Sequence, residues 1–330
     1  MIATRKARII GIGSYLPERI LSNEDFETMV DTTDDWIVTR TGMKERRIAA
    51  DDEFSSDMGI AAAKKALADA GCSADDIECI IVATMTPDYT VPGTAPLIQD
   101  GLGAKNAAAF DIQAACTGYL YGLSIAKGFI ESGMYSKVLL VAPEKMSSIV
   151  DYTDRSTCVI FGDGAAGVVV SNNGPGLLLQ EICLGADGGK MGLLHVPAGG
   201  CRKRASLETV ESNLHYIQMN GRETFKYAVR HMEATSNLCL KNAGILREDI
   251  SWLVPHQANI RIIDALAKRF DIPADRVYKI IHKYGNTSAS SIGIALDELL
   301  KEHSIAIGEH ILMTAFGAGL TWGAAIVTKI

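Results

Sequence analysis

Two hydrophobic patterns alternate along the chain: short runs that are apolar at nearly every position, and longer runs with helical spacing. The short runs predict strands at about residues 7–14, 79–84, 107–112, 137–142, 165–171, 177–186, 251–254, 310–315 and 321–328. The helical spacing predicts helices at about residues 56–70, 117–132, 221–243, 260–270 and 287–301. Because several strands are apolar on both faces, we expect a buried sheet within an α/β fold.

Blocks of sequence recur in the same order in the two halves of the chain. The matched positions are Ala70 with Ala243, Cys116 with Asn286, Lys137 with His310, and Gly164 with Gly323. The last pair is more closely spaced than the others, which indicates an extra loop in the first half at about residues 144–163. We therefore predict two duplicated halves, 1–173 and 174–330, fused into one globule without a flexible linker.

Two polar residues occupy equivalent places in these halves. Cys116 and Asn286 each follow a short apolar run and precede small residues and a helical pattern, so we expect both at helix N-termini, facing one another. A helix N-terminus favours a thiolate by about 0.3–1 kcal/mol, which would help make Cys116 a usable nucleophile. His256 ends a buried strand, where ligands bind in α/β folds.

Each of these residues also has an ordinary structural interpretation. A free cysteine is most often a small buried hydrophobic residue, a lone histidine is often a core residue, and asparagine is a frequent helix cap. The equivalence of Cys116 and Asn286, with His256 nearby, favours a site instead. Such a site could hold an acyl thioester and stabilise an enolate through neutral N–H donors.

Composition and charge narrow the classes of function. The chain has 330 residues, of which 48% are hydrophobic and 22% charged, which is typical of a globular protein. Its net charge of −7 disfavours non-specific nucleic-acid binding. Seven irregularly spaced cysteines without a C-x-x-C pair indicate reduced thiols in the cytoplasm, and the histidines show no metal-ligand spacing.

Neither a targeting segment nor a membrane span is expected. The basic start, through Arg8, is followed by too short an apolar run for a signal peptide. The uncharged run at 114–126 is shorter than the roughly 20 residues that cross a bilayer. The pair Gly11 and Gly13 lacks a third glycine and an acidic partner, so we expect no dinucleotide site.

Motifs along essentially the whole chain resemble those of β-ketoacyl-acyl carrier protein synthase III, a condensing enzyme with the thiolase fold. They are Asp35-Trp-Ile-Val-Thr-Arg-Thr-Gly, Ala114-Ala-Cys-Thr-Gly, Asp154-Arg, Phe161-Gly-Asp-Gly-Ala, Pro255-His-Gln-Ala-Asn, Tyr284-Gly-Asn-Thr-Ser-Ala and Phe316-Gly-Ala-Gly-Leu-Thr-Trp-Gly. The resemblance implies a five-layer α/β/α/β/α fold and a homodimer. It also implies a catalytic triad of Cys116, His256 and Asn286.

The resemblance implies a reaction as well. Cys116 would take the acyl group of an acyl-CoA primer, and His256 and Asn286 would stabilise the enolate formed when malonyl-acyl carrier protein loses CO₂. The backbone N–H groups of Cys116 and Ala318 would form the oxyanion hole, with Gly317 and Gly319 supplying unusual dihedral angles. The product would start fatty-acid synthesis, with coenzyme A thioester as a substrate and no cofactor.

Binding residues also follow from the resemblance. Those expected to bind coenzyme A are Trp36, Arg40, Arg155, Ala258 and Asn259. Those expected to dock the acidic carrier protein are Gln257, Arg261, Lys226, Lys268 and Arg269. Trp36 and Arg155 would stack on either side of the adenine, since arginine both stacks and pairs with phosphate. A basic patch on a negatively charged chain favours one specific acidic partner, although a solvated basic face is the commoner case.

Two alternatives remain open at this level. A priming ketosynthase of specialised metabolism, of polyketide or quinolone type, would carry the same triad. An acyl-CoA-binding or thioester-hydrolysing relative belongs to another class, although a binding module would not need an intact triad. The family's loop over the primer pocket, supplied across the dimer, corresponds to residues 87–94. Because Val91 in this loop is modest in size, primers longer than acetyl are compatible with the sequence.

Overall fold

A computed structural model describes residues 5–330, and residues 1–4, which open the basic start, lie outside the described residues. The strands are β1 (Arg8–Tyr15), β2 (Arg19–Ser22), β3 (Glu45–Ile48), β4 (Cys79–Ala83), β5 (Ala108–Ile112), β6 (Lys137–Glu144), β7 (Gly164–Ser171), β8 (Leu177–Ala186), β9 (Leu194–His195), β10 (Gln218–Met219), β11 (Ile250–Pro255), β12 (His310–Gly317) and β13 (Thr321–Lys329). The α-helices are α1 (Asn23–Met29), α2 (Asp34–Thr41), α3 (Ser55–Asp69), α4 (Thr94–Leu102), α5 (Gly118–Ser132), α6 (Arg155–Cys158), α7 (Leu207–Glu211), α8 (Gly221–Ala243), α9 (Ile260–Phe270), α10 (Ile281–Tyr284) and α11 (Ser290–Glu302).

Nine of these strands form one sheet in the order β11-β12-β13-β8-β1-β7-β6-β4-β5. In the first half, β4 pairs in parallel with β5 and β6, and β7 runs antiparallel between β6 and β1. In the second half, β11 pairs in parallel with β12, and β13 runs antiparallel between β12 and β8. Equivalent strands therefore occupy equivalent places, which confirms the predicted duplication.

Helices cover both faces of each half-sheet. α3 packs on β1 and β7, and α8 packs on β13 and β8. Between the two half-sheets, α5 contacts β6 and β13, while α11 contacts β7 and β11. This arrangement is the predicted five-layer α/β/α/β/α fold. Its middle layer consists of the two helices that follow Cys116 and Asn286, so the fold brings the starts of the two helices together.

Close packing in the middle layer explains part of the sequence of α5. Tyr119, Leu120 and Leu123 are fully buried there, each stabilising the fold by about 1.5–3 kcal/mol relative to exposure. A Cβ at Gly122 would overlap a Leu140 methyl group of β6, so a larger residue there would force the Leu140 side chain to shift.

The connections between equivalent strands differ in length. Residues 145–163 join β6 to β7, whereas residues 318–320 join β12 to β13. This confirms the predicted extra loop, with one correction: Glu144 does not open the loop but is the last, fully buried residue of β6. The turn from β7 to β8 spans 172–176, where the sequence predicts the boundary between halves.

One predicted helix begins later than expected. The pattern predicts a helix from about residue 287, but α11 begins at Ser290. Ser288 has a φ of 51°, outside the helical region, and its N–H donates to the Asn286 side chain at 2.8 Å.

Within residues 5–330, no helix is both long enough and apolar enough to cross a membrane.

Candidate active site

Residues from both halves line one cavity of about 630 Å³. Cys116 comes from the first half, and His256 and Asn286 come from the second, so the three predicted catalytic residues share a single pocket. All three are buried, with exposed fractions of 5%, 2% and 6%. The pocket can therefore exclude bulk water from the three side chains once its mouth is filled.

Cys116 lies in a 3₁₀ turn, Ala115–Thr117, directly before α5. Burial raises the pKa of its thiol to about 12, and the nearby Glu144 charge raises it too; the Ser288 hydroxyl lowers the pKa only when its proton is turned toward the sulfur instead of toward Glu144. The resting residue is therefore a thiol, and it must lose a proton to act as a nucleophile.

His256 follows β11, and its backbone N–H donates to the Thr314 carbonyl at 2.8 Å. Its Nδ1 lies 2.6 Å from Ser291 Oγ, which also accepts the Gln257 N–H at 3.4 Å. The Ser291 hydroxyl proton can then be donated to Nδ1, which leaves the proton of the imidazole on Nε2. Burial lowers the pKa of His256 to about 3, so the ring is a neutral donor at physiological pH.

Asn286 is fixed through its backbone and its side chain. Its N–H donates to the Ile160 carbonyl at 2.9 Å, and its carbonyl accepts the Gly162 N–H at 3.1 Å. Its Oδ1 accepts the Ser288 N–H, so Nδ2 remains as the donor. The extra loop of the first half thus holds the amide of the second half in place.

The Gly-rich turn after β12 packs against the nucleophile. A Cβ at Gly317 would lie 2.8 Å from the Cys116 nitrogen. Thr321 Oγ1 lies 3.2 Å from the Ala114 carbonyl and 3.0 Å from the Ala318 carbonyl, which ties the two turns together. Gly319 has the predicted unusual φ, at 136°.

The prediction of an unusual dihedral angle was wrong for Gly317, whose φ is not positive. Glycine is required there by the close approach to Cys116 rather than by backbone conformation.

The predicted coenzyme A residues cluster at the mouth of the cavity. Trp36, Arg40, Ala258 and Asn259 line it, and the Arg40 guanidinium lies 4.5 Å from the Trp36 ring centroid. The Arg155 guanidinium lies 4.8 Å from the same centroid. At that distance the guanidinium stacks directly on the Trp36 ring, and no space is left between them for a third planar group. An adenine could therefore enter between Trp36 and Arg155 only if the arginine moves.

Asn259 has a structural task at this mouth. Its Oδ1 caps α9 by accepting the Arg261 N–H at 2.9 Å, and its Nδ2 donates to the Arg40 carbonyl at 2.9 Å. The side chain thus joins α9 to the end of α2, where Arg40 lies. Ala258, the neighbouring residue, presents only a methyl group to the cavity.

The predicted docking residues lie at different distances from the cavity. Arg261 and Lys226 lie at the cavity mouth, and Lys226 pairs with Glu223 at 2.6 Å. Lys268 and Arg269 lie two turns farther along α9, and Arg269 pairs with Glu233 on α8. The basic surface nearest the cavity is therefore the part around Arg261 and Lys226.

The prediction that Gln257 docks a carrier protein is corrected by the structure. Gln257 is fully buried. Its Oε1 accepts the N–H groups of Ile280 and Ile281 at 3.0 and 3.1 Å, and its Nε2 donates to the Pro255 carbonyl at 2.7 Å. A side chain committed to these buried bonds cannot contact a partner protein; it holds the segment after His256 in place.

Three residues of the site are absent from the sequence-based prediction. Ser291 orients His256, and Ser288 lies 3.6 Å from the Cys116 sulfur. Glu144 accepts a hydrogen bond from Ser288 at 3.0 Å. The two serines lie within a segment predicted as helix and carry no signal of their own, but a carboxylate directly after the apolar run of β6 was a usable signal. Within residues 5–330, no three His, Cys, Asp or Glu side chains are grouped to hold a metal ion.

Comparison with known proteins identifies the family. The model for 3-oxoacyl-[acyl-carrier-protein] synthase III matches residues 110–188, and the model for its C-terminal region matches residues 240–329. The β-ketoacyl-[acyl-carrier-protein] synthase III of Chlamydia pneumoniae is 57% identical, over 99% of this chain and 98% of that protein.

Solved structures agree with the sequence relatives. The 3-oxoacyl-[acyl-carrier-protein] synthase III of Aquifex aeolicus VF5 superposes with a TM-score of 0.90 at 48% identity, covering 98% of this chain and 99% of that one. The priming β-ketosynthase of the R1128 polyketide pathway superposes with a TM-score of 0.91 at 37% identity, covering 99% of this chain and 97% of that one. From its motifs, its fold and these relatives, the chain belongs to the 3-oxoacyl-[acyl-carrier-protein] synthase III family.

Proposed function

We propose that this protein is a β-ketoacyl-acyl carrier protein synthase III that initiates fatty-acid biosynthesis. It joins a short acyl-CoA primer, such as acetyl-CoA, to malonyl-acyl carrier protein in a decarboxylative Claisen condensation. The observation that carries this proposal is the meeting of the Cys116 thiol, the neutral His256 ring and the Asn286 amide in one buried cavity. The relative at 57% identity supports the same activity.

The first half-reaction loads the primer. The Cys116 sulfur attacks the thioester carbonyl and coenzyme A leaves, which gives an acyl-cysteine. The backbone N–H groups of Cys116 and Ala318 donate to the oxygen that becomes negative in the tetrahedral intermediate. The contact of Gly317 with Cys116 supports this role, because it brings the two turns together. Preorganised donors of this kind contribute about 2.7–4 kcal/mol to transition-state stabilisation.

The second half-reaction decarboxylates the malonyl thioester. Its enolate oxygen accepts from His256 Nε2–H and Asn286 Nδ2–H, and the enolate carbon then attacks the acyl-cysteine. Both donors are neutral, so neither must be deprotonated or recharged during turnover. The hydrogen bond from Ser291 to His256 Nδ1 and that from Ser288 to Asn286 Oδ1 support these donor assignments.

The binding partners are assigned by position. Trp36, Arg40 and Arg155, with Ala258 and Asn259, bind coenzyme A at the cavity mouth. Arg261 and Lys226 dock acyl carrier protein, with Lys268 and Arg269 extending that surface along α9.

We also propose the wider setting of the enzyme. It is a cytoplasmic homodimer, and each protomer consists of two duplicated halves, residues 1–173 and 174–330. Coenzyme A thioester is a substrate rather than a bound cofactor.

Separating the half-reactions tests the roles of the triad. His256→Ala and Asn286→Ala should still form the acyl-cysteine but fail to release CO₂ from malonyl-acyl carrier protein. Cys116→Ala should fail to load yet still decarboxylate. Intact mass spectrometry follows loading, and labelled CO₂ release follows decarboxylation. Normal condensation by His256→Ala would contradict the assignment.

A second candidate is a priming ketosynthase of specialised metabolism. The superposition on the R1128 enzyme favours it, as does Val91, which is 84% exposed at the tip of the 87–94 loop. A small residue there, capping a partner's pocket, would admit longer primers. Competition between acetyl-, isobutyryl- and octanoyl-CoA distinguishes the two, since a preference for octanoyl-CoA would favour specialised metabolism.

A further inference from the structure

A buried carboxylate lies behind the nucleophile. Glu144, at the end of β6, has no exposed surface. Its Oε2 accepts the Thr84 hydroxyl at 3.1 Å, the Met85 N–H at 3.1 Å and the Thr86 hydroxyl at 2.8 Å. Among residues 5–330, no lysine, arginine or histidine forms an ion pair with it. The carboxylate is therefore held by neutral donors alone.

Ser288 connects this carboxylate to Cys116. Its Oγ lies 3.0 Å from Glu144 Oε1 and 3.6 Å from Cys116 Sγ. Its backbone has a φ of 51°, a conformation that is uncommon for residues other than glycine. The bond from its N–H to Asn286 Oδ1 holds it there. Thiol, hydroxyl and carboxylate thus form a continuous chain of hydrogen-bonding atoms.

A purely structural role explains this arrangement poorly. Burying an ionisable carboxyl without an ion-pair partner is costly, and neutral residues could link these segments without that cost. Burial raises the pKa of Glu144 to about 7, so this group can change charge near neutral pH. That is the range in which a proton acceptor works best at physiological pH.

We propose that Ser288 and Glu144 form a proton relay that takes the thiol proton of Cys116 during primer loading and returns it during condensation. The inference rests on the proposed function in one respect, the assignment of Cys116 as the nucleophile. Ser288 contacts the reacting sulfur, and Glu144 acts through Ser288.

Loading moves one proton from Cys116 through Ser288 to Glu144. The Sγ–H bond of Cys116 breaks as its proton passes to Ser288 Oγ, while the Ser288 hydroxyl proton passes to Glu144 Oε1. The sulfur forms a bond with the primer carbonyl carbon, and coenzyme A leaves as a thiolate that takes a proton from water.

Condensation reverses the transfer. The sulfur–carbonyl bond breaks, the Cys116 thiolate takes a proton from Ser288, and Glu144 returns its proton to Ser288. The enzyme therefore regains both the thiol and the carboxylate without an external acid.

The relay also avoids placing two negative charges side by side. An ionised Glu144 raises the pKa of Cys116, so a thiolate beside a carboxylate is unfavourable. When the proton moves from sulfur to carboxylate, the pair keeps one negative charge in total. His256, which lines the same cavity, is neutral from pH 5.5 upward and so does not titrate in the range tested below.

The test is the pH dependence of Cys116 reactivity in the full-length protein. Rates of alkylation by iodoacetamide, read at the Cys116 peptide by mass spectrometry, and of acyl loading from acetyl-CoA are measured from pH 5.5 to 9.5. We expect the wild-type rates to rise with a midpoint near neutral pH. Glu144→Gln should lower both rates at pH 7 by at least about tenfold and move the midpoint to higher pH.

Two further variants separate the relay from general damage. Ser288→Ala should give the same displacement of the pH profile, and the double variant should be no slower than the slower single variant, because the two residues act in series. Asp163→Asn is the matched control, since Asp163 is equally buried but bonds to Ala49 and Ser147. Its midpoint should match that of the wild type.

The outcomes are distinguishable from those of the proposed function. A wild-type protein that loads acetyl-CoA, beside a Glu144→Gln variant with an unmoved midpoint, would overturn the relay alone. A loss of rate that is equal at every pH would also overturn it, because that is the effect of a structural role. Failure of the wild type to load any primer would contradict the proposed function, while the alkylation rates would still test the relay.

Discussion

The neutrality of His256 makes a quantitative prediction about stability. Burial lowers its pKa from 6.5 to about 3 in the folded protein. The unfolded chain therefore binds a proton at this residue below pH 6.5, while the folded chain does not. Because the unfolded state binds more protons, stability must fall as the pH falls, beginning near pH 6.5 and continuing to about pH 3.

The size of the effect follows from the two pKa values. One pKa unit corresponds to about 1.4 kcal/mol, and pH 5 lies about 1.5 units below the pKa of 6.5 that the histidine has in the unfolded chain. Between pH 7 and pH 5 the free energy of unfolding should therefore fall by about 2 kcal/mol because of His256 alone. With 2% of its surface exposed, the residue needs little correction for solvent screening.

Urea unfolding of wild type and His256→Gln at pH 7 and pH 5 isolates this contribution. Glutamine cannot titrate, so the variant should lose about 2 kcal/mol less stability between the two pH values than the wild type does. Contributions from other groups, including the opposite one from Glu144, are common to both proteins and cancel. Protein concentration is held constant, because the stability of the proposed homodimer would depend on it. Equal losses in the two proteins would refute the assignment of a neutral buried histidine.

Three further substitutions test the geometry of the site. Gly317→Ala places a Cβ 2.8 Å from the Cys116 nitrogen, so kcat/KM should fall by more than about tenfold and the free energy of unfolding should fall by about 1–3 kcal/mol; an unchanged kcat/KM would show that the turn can move aside. Trp36→Ala should raise the KM for acyl-CoA by about tenfold through lost base stacking, with the KM for malonyl-acyl carrier protein unaffected. Arg261→Glu should raise the KM for malonyl-acyl carrier protein by at least about fivefold, whereas Lys268→Glu, farther from the cavity, should have a smaller effect; equal effects would extend the docking surface along α9.

The features that could be predicted from sequence are those carried by local pattern or by duplication. The start of α9 follows from its hydrophobic periodicity, and the meeting of Cys116 with Asn286 follows from their equivalent places in the two halves. The extra loop was evident from the uneven spacing of the matched blocks. Such signals lie within one segment, or repeat between segments, and need no knowledge of tertiary contacts.

The features that sequence could not provide depend on contacts between distant segments. The family resemblance implied that Gln257 docks the carrier protein, but its bonds to Ile280 and Ile281 bury it. Likewise, nothing local distinguishes Ser288 from other loop serines until β6 brings Glu144 within 3.0 Å of it. The late start of α11 has the same origin, because Ser288, whose hydroxyl contacts Glu144, has a φ of 51° that a right-handed helix cannot include.

The most direct test of the central claim is the intact mass of the purified protein after incubation with acetyl-, isobutyryl- and octanoyl-CoA, with Cys116→Ser as the control. We expect a mass increase equal to one acyl group for at least one primer, and none in the control. The absence of an adduct from every primer, or an adduct that persists in Cys116→Ser, would contradict an acyl-cysteine mechanism at this site.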